Sequence, residues 1–177
     1  MPGEEGFLAM RRFLALASLL ALVGAVMVGS TSASSSRTVR VTGTEQFVPN
    51  AKIMATLRFA PGPLTVTSGE TVTWASDTLT EPHTISVVAA GDVPTSIDQI
   101  FNCPVCNAIL AAHFPNGFNN PPVPVLNAGG AGLDAVGDSL LLAPGGSVSD
   151  TITAAPGSKL HYLFAIHPWM QGTITVH

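Results

Sequence analysis

After residue 50 the chain runs in short stretches of alternating apolar and polar residues broken by Gly and Pro, the pattern of strands with one buried face. Residues 52–59 put Ile53, Ala55, Leu57 and Phe59 on one side, and Pro61-Gly62-Pro63 then turns the chain. Two further strands are predicted over 64–67 and 71–74 around the turn Ser68-Gly69-Glu70, with Trp74 in the core. Residues 83–88 form another, with Ile85 and Val87 on the same side. The alternation returns at 139–142. It continues after Pro144-Gly145-Gly146 into 147–153 and after Pro156-Gly157-Ser158 into 160–164, and closes over 172–176. Short strands with turns at this spacing predict an all-β sandwich or barrel, and no internal repeat is visible.

Residues 89–138 follow a different rule. Ile97, Ile100 and Phe101 recur at helical spacing behind Ser96, a good cap. Pro104 cannot sit inside that helix, so it opens a second one running to His113. Residues 115–132 are rich in Pro, Gly and Asn and are expected as irregular loop. The whole of 89–138 is expected as an insertion between two sandwich strands.

The N-terminus changes the picture of where the protein works. Arg11 and Arg12 precede an uncharged apolar run over 13–28, and Thr31-Ser32-Ala33 supplies small residues suited to cleavage. Residues 1–33 are expected as a signal peptide, 34–50 as a Ser/Thr-rich flexible linker and 51–177 as the folded domain. The protein is then exported, to the periplasm, the cell surface or the medium. It meets a membrane only if the N-terminal segment stays uncleaved, since the run is short for a span. Beyond residue 33 five Lys or Arg face nine Asp or Glu, which argues against a nucleic-acid partner.

Two remote segments each carry a histidine at a strand edge: Glu81-Pro82-His83-Thr84-Ile85, and Phe164-Ala165-Ile166-His167-Pro168-Trp169-Met170-Gln171-Gly172. Together with Gly69-Glu70-Thr71-Val72-Thr73-Trp74, these segments resemble the cupredoxins, especially the plastocyanin and amicyanin branch of blue copper proteins. The resemblance covers roughly 52–88 and 139–177 and implies a Greek-key β-sandwich. It implies His83 and His167 as imidazole ligands to copper and Met170 as a weak axial thioether. In that family's ligand loop, Cys, His and Met are each separated by two residues. The cysteine position here falls on Phe164, which has no donor atom. The thiolate defines the trigonal blue site. Its loss points to a non-blue copper site, or to a degenerate one.

Cys103-Pro104-Val105-Cys106 is the second constellation. In an exported protein the default is a disulfide between Cys103 and Cys106. A redox-active thiol pair and a thiolate lent to the metal site are the other readings. His113 follows closely, but two cysteines and one histidine fall short of a structural zinc set, and His113 is expected at the surface. His161 is expected to point away from the metal position. Trp169 has two readings, an apolar docking patch or loop packing.

Three functions are therefore carried forward. The first is an exported copper-binding protein, non-enzymatic, whose family role is one-electron transfer to a redox protein partner without substrate turnover. The second is a metal-free β-sandwich used as a binding module. The third is a thiol–disulfide redox protein acting through Cys103 and Cys106.

Overall fold

The computed structural model describes residues 37–177, so the expected signal peptide lies outside the described residues. In chain order the strands are Arg37–Thr42 (β1), Glu45–Val48 (β2), Lys52–Ala55 (β3), Arg58–Ala60 (β4), Pro63–Val66 (β5) and Thr71–Ser76 (β6). His83–Val88 (β7), Val125–Leu126 (β8), Ser139–Leu142 (β9), Ser147–Thr151 (β10), Lys159–Leu163 (β11) and Gln171–Val176 (β12) complete them. Two helices, Ile97–Phe101 (α1) and Pro104–His113 (α2), lie in the inserted segment between β7 and β9. The Ser96 side chain accepts from the Gln99 N–H at the start of α1, and Pro104 stands in the first turn of α2.

One sheet has the order β10-β6-β1-β4 and the other β5-β12-β11-β7-β9-β8, while β2 and β3 form a separate hairpin. Neighbours that are remote in sequence, such as β10 beside β6 and β12 beside β5, give the Greek-key connectivity of a β-sandwich. Strict alternation of burial along β6 and β12 follows from one face meeting the opposite sheet. Val39, Val41, Val72 and Trp74 from the first sheet share one core with Ile85, Val87, Leu160, Tyr162 and Ile174 from the second. By contrast, β7 is buried at all six positions. Its outer face lies under the insertion, where Val88 and Leu163 join Cys103, Cys106 and Ile109 in a second cluster.

Two expectations are corrected. Residues 37–42 are not linker but β1, a central strand of the first sheet, paired parallel with β6 and antiparallel with β4. Val39 and Val41 alternate with Arg and Thr there, and both are fully buried. The run 52–59 is not one strand. It divides into β3 and β4, with Ile53 exposed on the hairpin and only Leu57 and Phe59 entering the core.

Tyr162 is packed between Phe59, at a ring distance of 5.0 Å, and Trp74, at 6.0 Å. Its cross-strand partner is Gly172, and a Cβ there would overlap the tyrosine ring. Overpacking of this kind costs about 1–3 kcal/mol. Gly172→Ala is expected to lower the thermal midpoint by several degrees, read by circular dichroism; an unchanged midpoint would show that the ring relocates freely.

Candidate metal centre

The two histidines are remote in sequence but are brought together by neighbouring strands of one sheet. His83 opens β7, and His167 sits in the loop from β11 to β12, where β11 pairs with β7. The loop closes on itself: Phe164 N–H donates to the Met170 carbonyl at 3.1 Å, and Met170 N–H to that of His167 at 2.8 Å. Ala165 N–H donates to Thr84 Oγ1 at 3.0 Å, tying the loop to the strand that carries His83. Gln171 adds a brace by donating to the carbonyls of Pro94 and Pro168, both at 2.8 Å.

Phe164 is fully buried between the imidazoles, with ring centroids 4.7 Å from His83 and 5.4 Å from His167. Met170 is fully buried in the same loop, and Trp169 stacks on His167 at 4.5 Å while keeping 38% of its surface exposed. The fold thus brings His83, Phe164 and His167 together, and the loop that carries His167 also carries the buried Met170.

The electrostatics are those of a site short of a partner. His83 is fully buried, yet neither Nδ1 nor Nε2 has a hydrogen-bond partner, while Glu81 Oε1 and His167 Nδ1 face each other at 3.0 Å. A buried polar group left unmade costs about 1–3 kcal/mol. Burial, then the neighbouring His167, pushes the His83 imidazole down to about 4, so it stays neutral with lone pair available. Burial pushes the Glu81 carboxyl up, against the pull of His167, while Glu45 adds to the rise.

Glu81 and Glu45 are the residues that sequence reasoning missed. Glu81 Oε1 lies 3.0 Å from His167 Nδ1 and 3.6 Å from His83 Nε2, and Glu45 Oε1 lies 3.9 Å from His167 Nε2. Glu45, Glu81 and His167 are the set of three such donors, among the described residues, that converges within 4.8 Å. Glu81 had a signal, standing two residues before His83 in a Pro-containing turn. Glu45 had none, because it falls in the segment read as linker.

The remaining candidates stand elsewhere. Cys103 and Cys106 are joined as a disulfide at the start of α2, so neither offers a thiolate to the metal position. The bridge shares an apolar cluster with Ala165 of the histidine loop. His113, expected at the surface, is fully buried. Its Nδ1 is 2.6 Å from the Val123 carbonyl, which only accepts, so Nδ1 carries the proton. Its Nε2 is 2.7 Å from Ser139 Oγ, and with both nitrogens engaged His113 is a strut rather than a ligand. A lone histidine in sequence shows neither partner. His161 lies half-buried on the outer side of β11, away from the core.

No protein-family model and no curated protein matches the chain. Similar solved structures include the purple cupredoxin from Nitrosopumilus maritimus, at 16% identity over 80% of this chain and 99% of that one, TM-score 0.44. Auracyanin A, a "blue" copper protein from Chloroflexus aurantiacus, is similar at 19% identity over 81% and 98%, TM-score 0.45. Amicyanin from Paracoccus versutus is similar at 14% identity over 81% and 83%, TM-score 0.41. At such identities and scores, the assignment of the sandwich rests on the strand pairings described above. No helix among the described residues is long and apolar enough to cross a membrane.

The neutral His83 makes a testable contribution to stability. An unfolded histidine titrates near 6.5, whereas the folded one does so at about 4. Its contribution is therefore complete above pH of about 6.5 and is lost as pH falls towards 4, because the unfolded chain takes up the proton first. In chelator, wild type is expected to lose on the order of 2 kcal/mol more than His83→Leu between about pH 7.5 and about pH 5, by urea denaturation. Parallel pH profiles for the two proteins would contradict a neutral buried imidazole.

Proposed function

We propose that this chain is an exported, non-enzymatic copper-binding protein whose site works without a thiolate. The observation that carries the reading is the pair of imidazoles from remote segments, one fully buried with both nitrogens unpartnered, flanking the Phe164 ring. The donor chemistry fits copper: two neutral imidazoles suit either oxidation state, and a thioether favours Cu(I). His83 and His167 would hold the ion and Met170 would supply the soft contact. Phe164 contributes no donor and keeps water from the space it fills. Copper, when bound, supplies one-electron chemistry, which here would be non-blue because the cysteine sulfur is missing. Export is supported by the sequence over 1–33 alone. A redox protein partner is what the family resemblance implies, and the exposed faces of Ile166 and Trp169 beside His167 are where it would approach.

One observation favours the second reading, a metal-free binding module: the Phe164 ring packs directly on both histidines and fills the gap between them. A single experiment separates the two. Calorimetric titration of the metal-stripped chain with Cu(II) and Cu(I) is expected to give binding that His83→Ala and His167→Ala each weaken, without intense blue absorption. Equal behaviour of all three proteins would leave the metal-free reading standing. Phe164→Cys is expected to turn the Cu(II)-loaded protein blue, and a colourless variant that still binds copper would mean the scaffold no longer sets the trigonal geometry.

A further inference from the structure

We propose that Glu81 is a metal ligand, supplying in place of the missing thiolate the anionic donor that holds a divalent cation together with His167, beside the buried His83. The inference deepens the copper-binding reading and rests on it for the two histidines.

Three observations carry it. Ligand atoms held about 2.0–2.2 Å from one ion lie about 2.9–3.5 Å apart. Glu81 Oε1 stands 3.0 Å from His167 Nδ1 and 3.6 Å from His83 Nε2, spacings close to that range. Both nitrogens of His83 lack a hydrogen-bond partner, while the Glu81 carboxylate and His167 face each other as an ion pair at 3.0 Å. A cation held by Glu81 and His167 would draw on two of the donors that converge within 4.8 Å, beside the unpartnered Nε2 of His83. His83 is fully buried, so water does not compensate its nitrogens. The third observation lies behind His167, where Glu45 Oε1 faces Nε2 at 3.9 Å. A carboxylate on the far nitrogen of a ligating histidine orients the ring and strengthens the donor. Glu45 is thus a positioning residue.

The chemical consequence is selectivity. Two neutral imidazoles bring no charge, and Met170 alone would bias the site to Cu(I). A carboxylate oxygen is a hard anionic donor, which moves preference to Cu(II), with Zn(II) weaker by the Irving–Williams order. Phe164 closes the inner side, so the ion sits towards the mouth of the loop, where Glu81 and His167 are each partly exposed.

The test is competitive titration of the full metal-stripped chain with Cu(II) and, separately, Cu(I). Glu81→Gln is close in shape and removes the charge. It is expected to weaken Cu(II) binding by more than about 100-fold, beyond the 10–100-fold typical of outer-shell losses, and Cu(I) binding far less, with the thermal midpoint in chelator unchanged. Glu45→Gln is expected to cost about tenfold. Cu(II) affinity that survives Glu81→Gln but is lost in His167→Ala would overturn the role of Glu81 and leave the histidine site intact. Absence of Cu(II) binding to wild type would overturn both. Infrared difference spectra of wild type give a reading independent of any variant: a carboxylate stretch is expected to shift on Cu(II) addition, and an unshifted carboxylate region would overturn the proposal.

Discussion

A buried aromatic ring with two imidazoles packed against it governs the chemistry of this protein. Phe164 lies fully buried between His83 and His167, so the space beside both imidazoles holds carbon. Carbon satisfies packing but not polarity. The nitrogens of His83 are left without hydrogen-bond partners inside the sandwich, and an oxygen of Glu81 lies 3.6 Å from Nε2. In the proposed copper site, a phenylalanine at this position would do more than withhold a ligand. It leaves a polar deficit that the Glu81 carboxylate is placed to meet, which would shift the donor set from soft towards hard.

The scaffold keeps this arrangement in register. Thr84 on β7 holds Ala165 of the histidine loop, and the Met170 and His167 backbone bonds close that loop. The insertion reinforces it from outside. The Cys103–Cys106 disulfide packs on Ala165 and Leu163, and His113 reaches Ser139, which lies 2.7 Å from Ser86 on β7. A polar run beneath α2 thus reaches the strand that carries His83. The insertion serves the site as a cover for the second sheet, which explains why β7 is buried on both faces.

Much of this was legible in the sequence, because period-two alternation and Gly/Pro turns report half-buried strands directly. The strands around Trp74, Ile85, Leu140, Leu160 and Ile174 were readable for that reason, as were the Ser96 cap and the helix opened by Pro104. What failed did so on identifiable grounds. The alternation of Val39 and Val41 is plain, but the Ser/Thr-rich residues around it gave the segment the composition of a linker. Glu45 was lost with that segment, although the β2–β3 hairpin brings it to His167. His113 looked exposed because its two partners, Val123 and Ser139, are set by tertiary packing rather than by local pattern. The motif spacing found the two histidines; only the fold revealed the carboxylate beside them.

The central claim is that copper meets two imidazoles and an oxygen donor here, with no thiolate. X-ray absorption at the copper edge of the Cu(II)-loaded full chain tests it most directly. The account predicts a nitrogen and oxygen first shell with the outer-shell scattering of two histidine rings. A short copper–sulfur distance of thiolate type, or a first shell without imidazole, would contradict it.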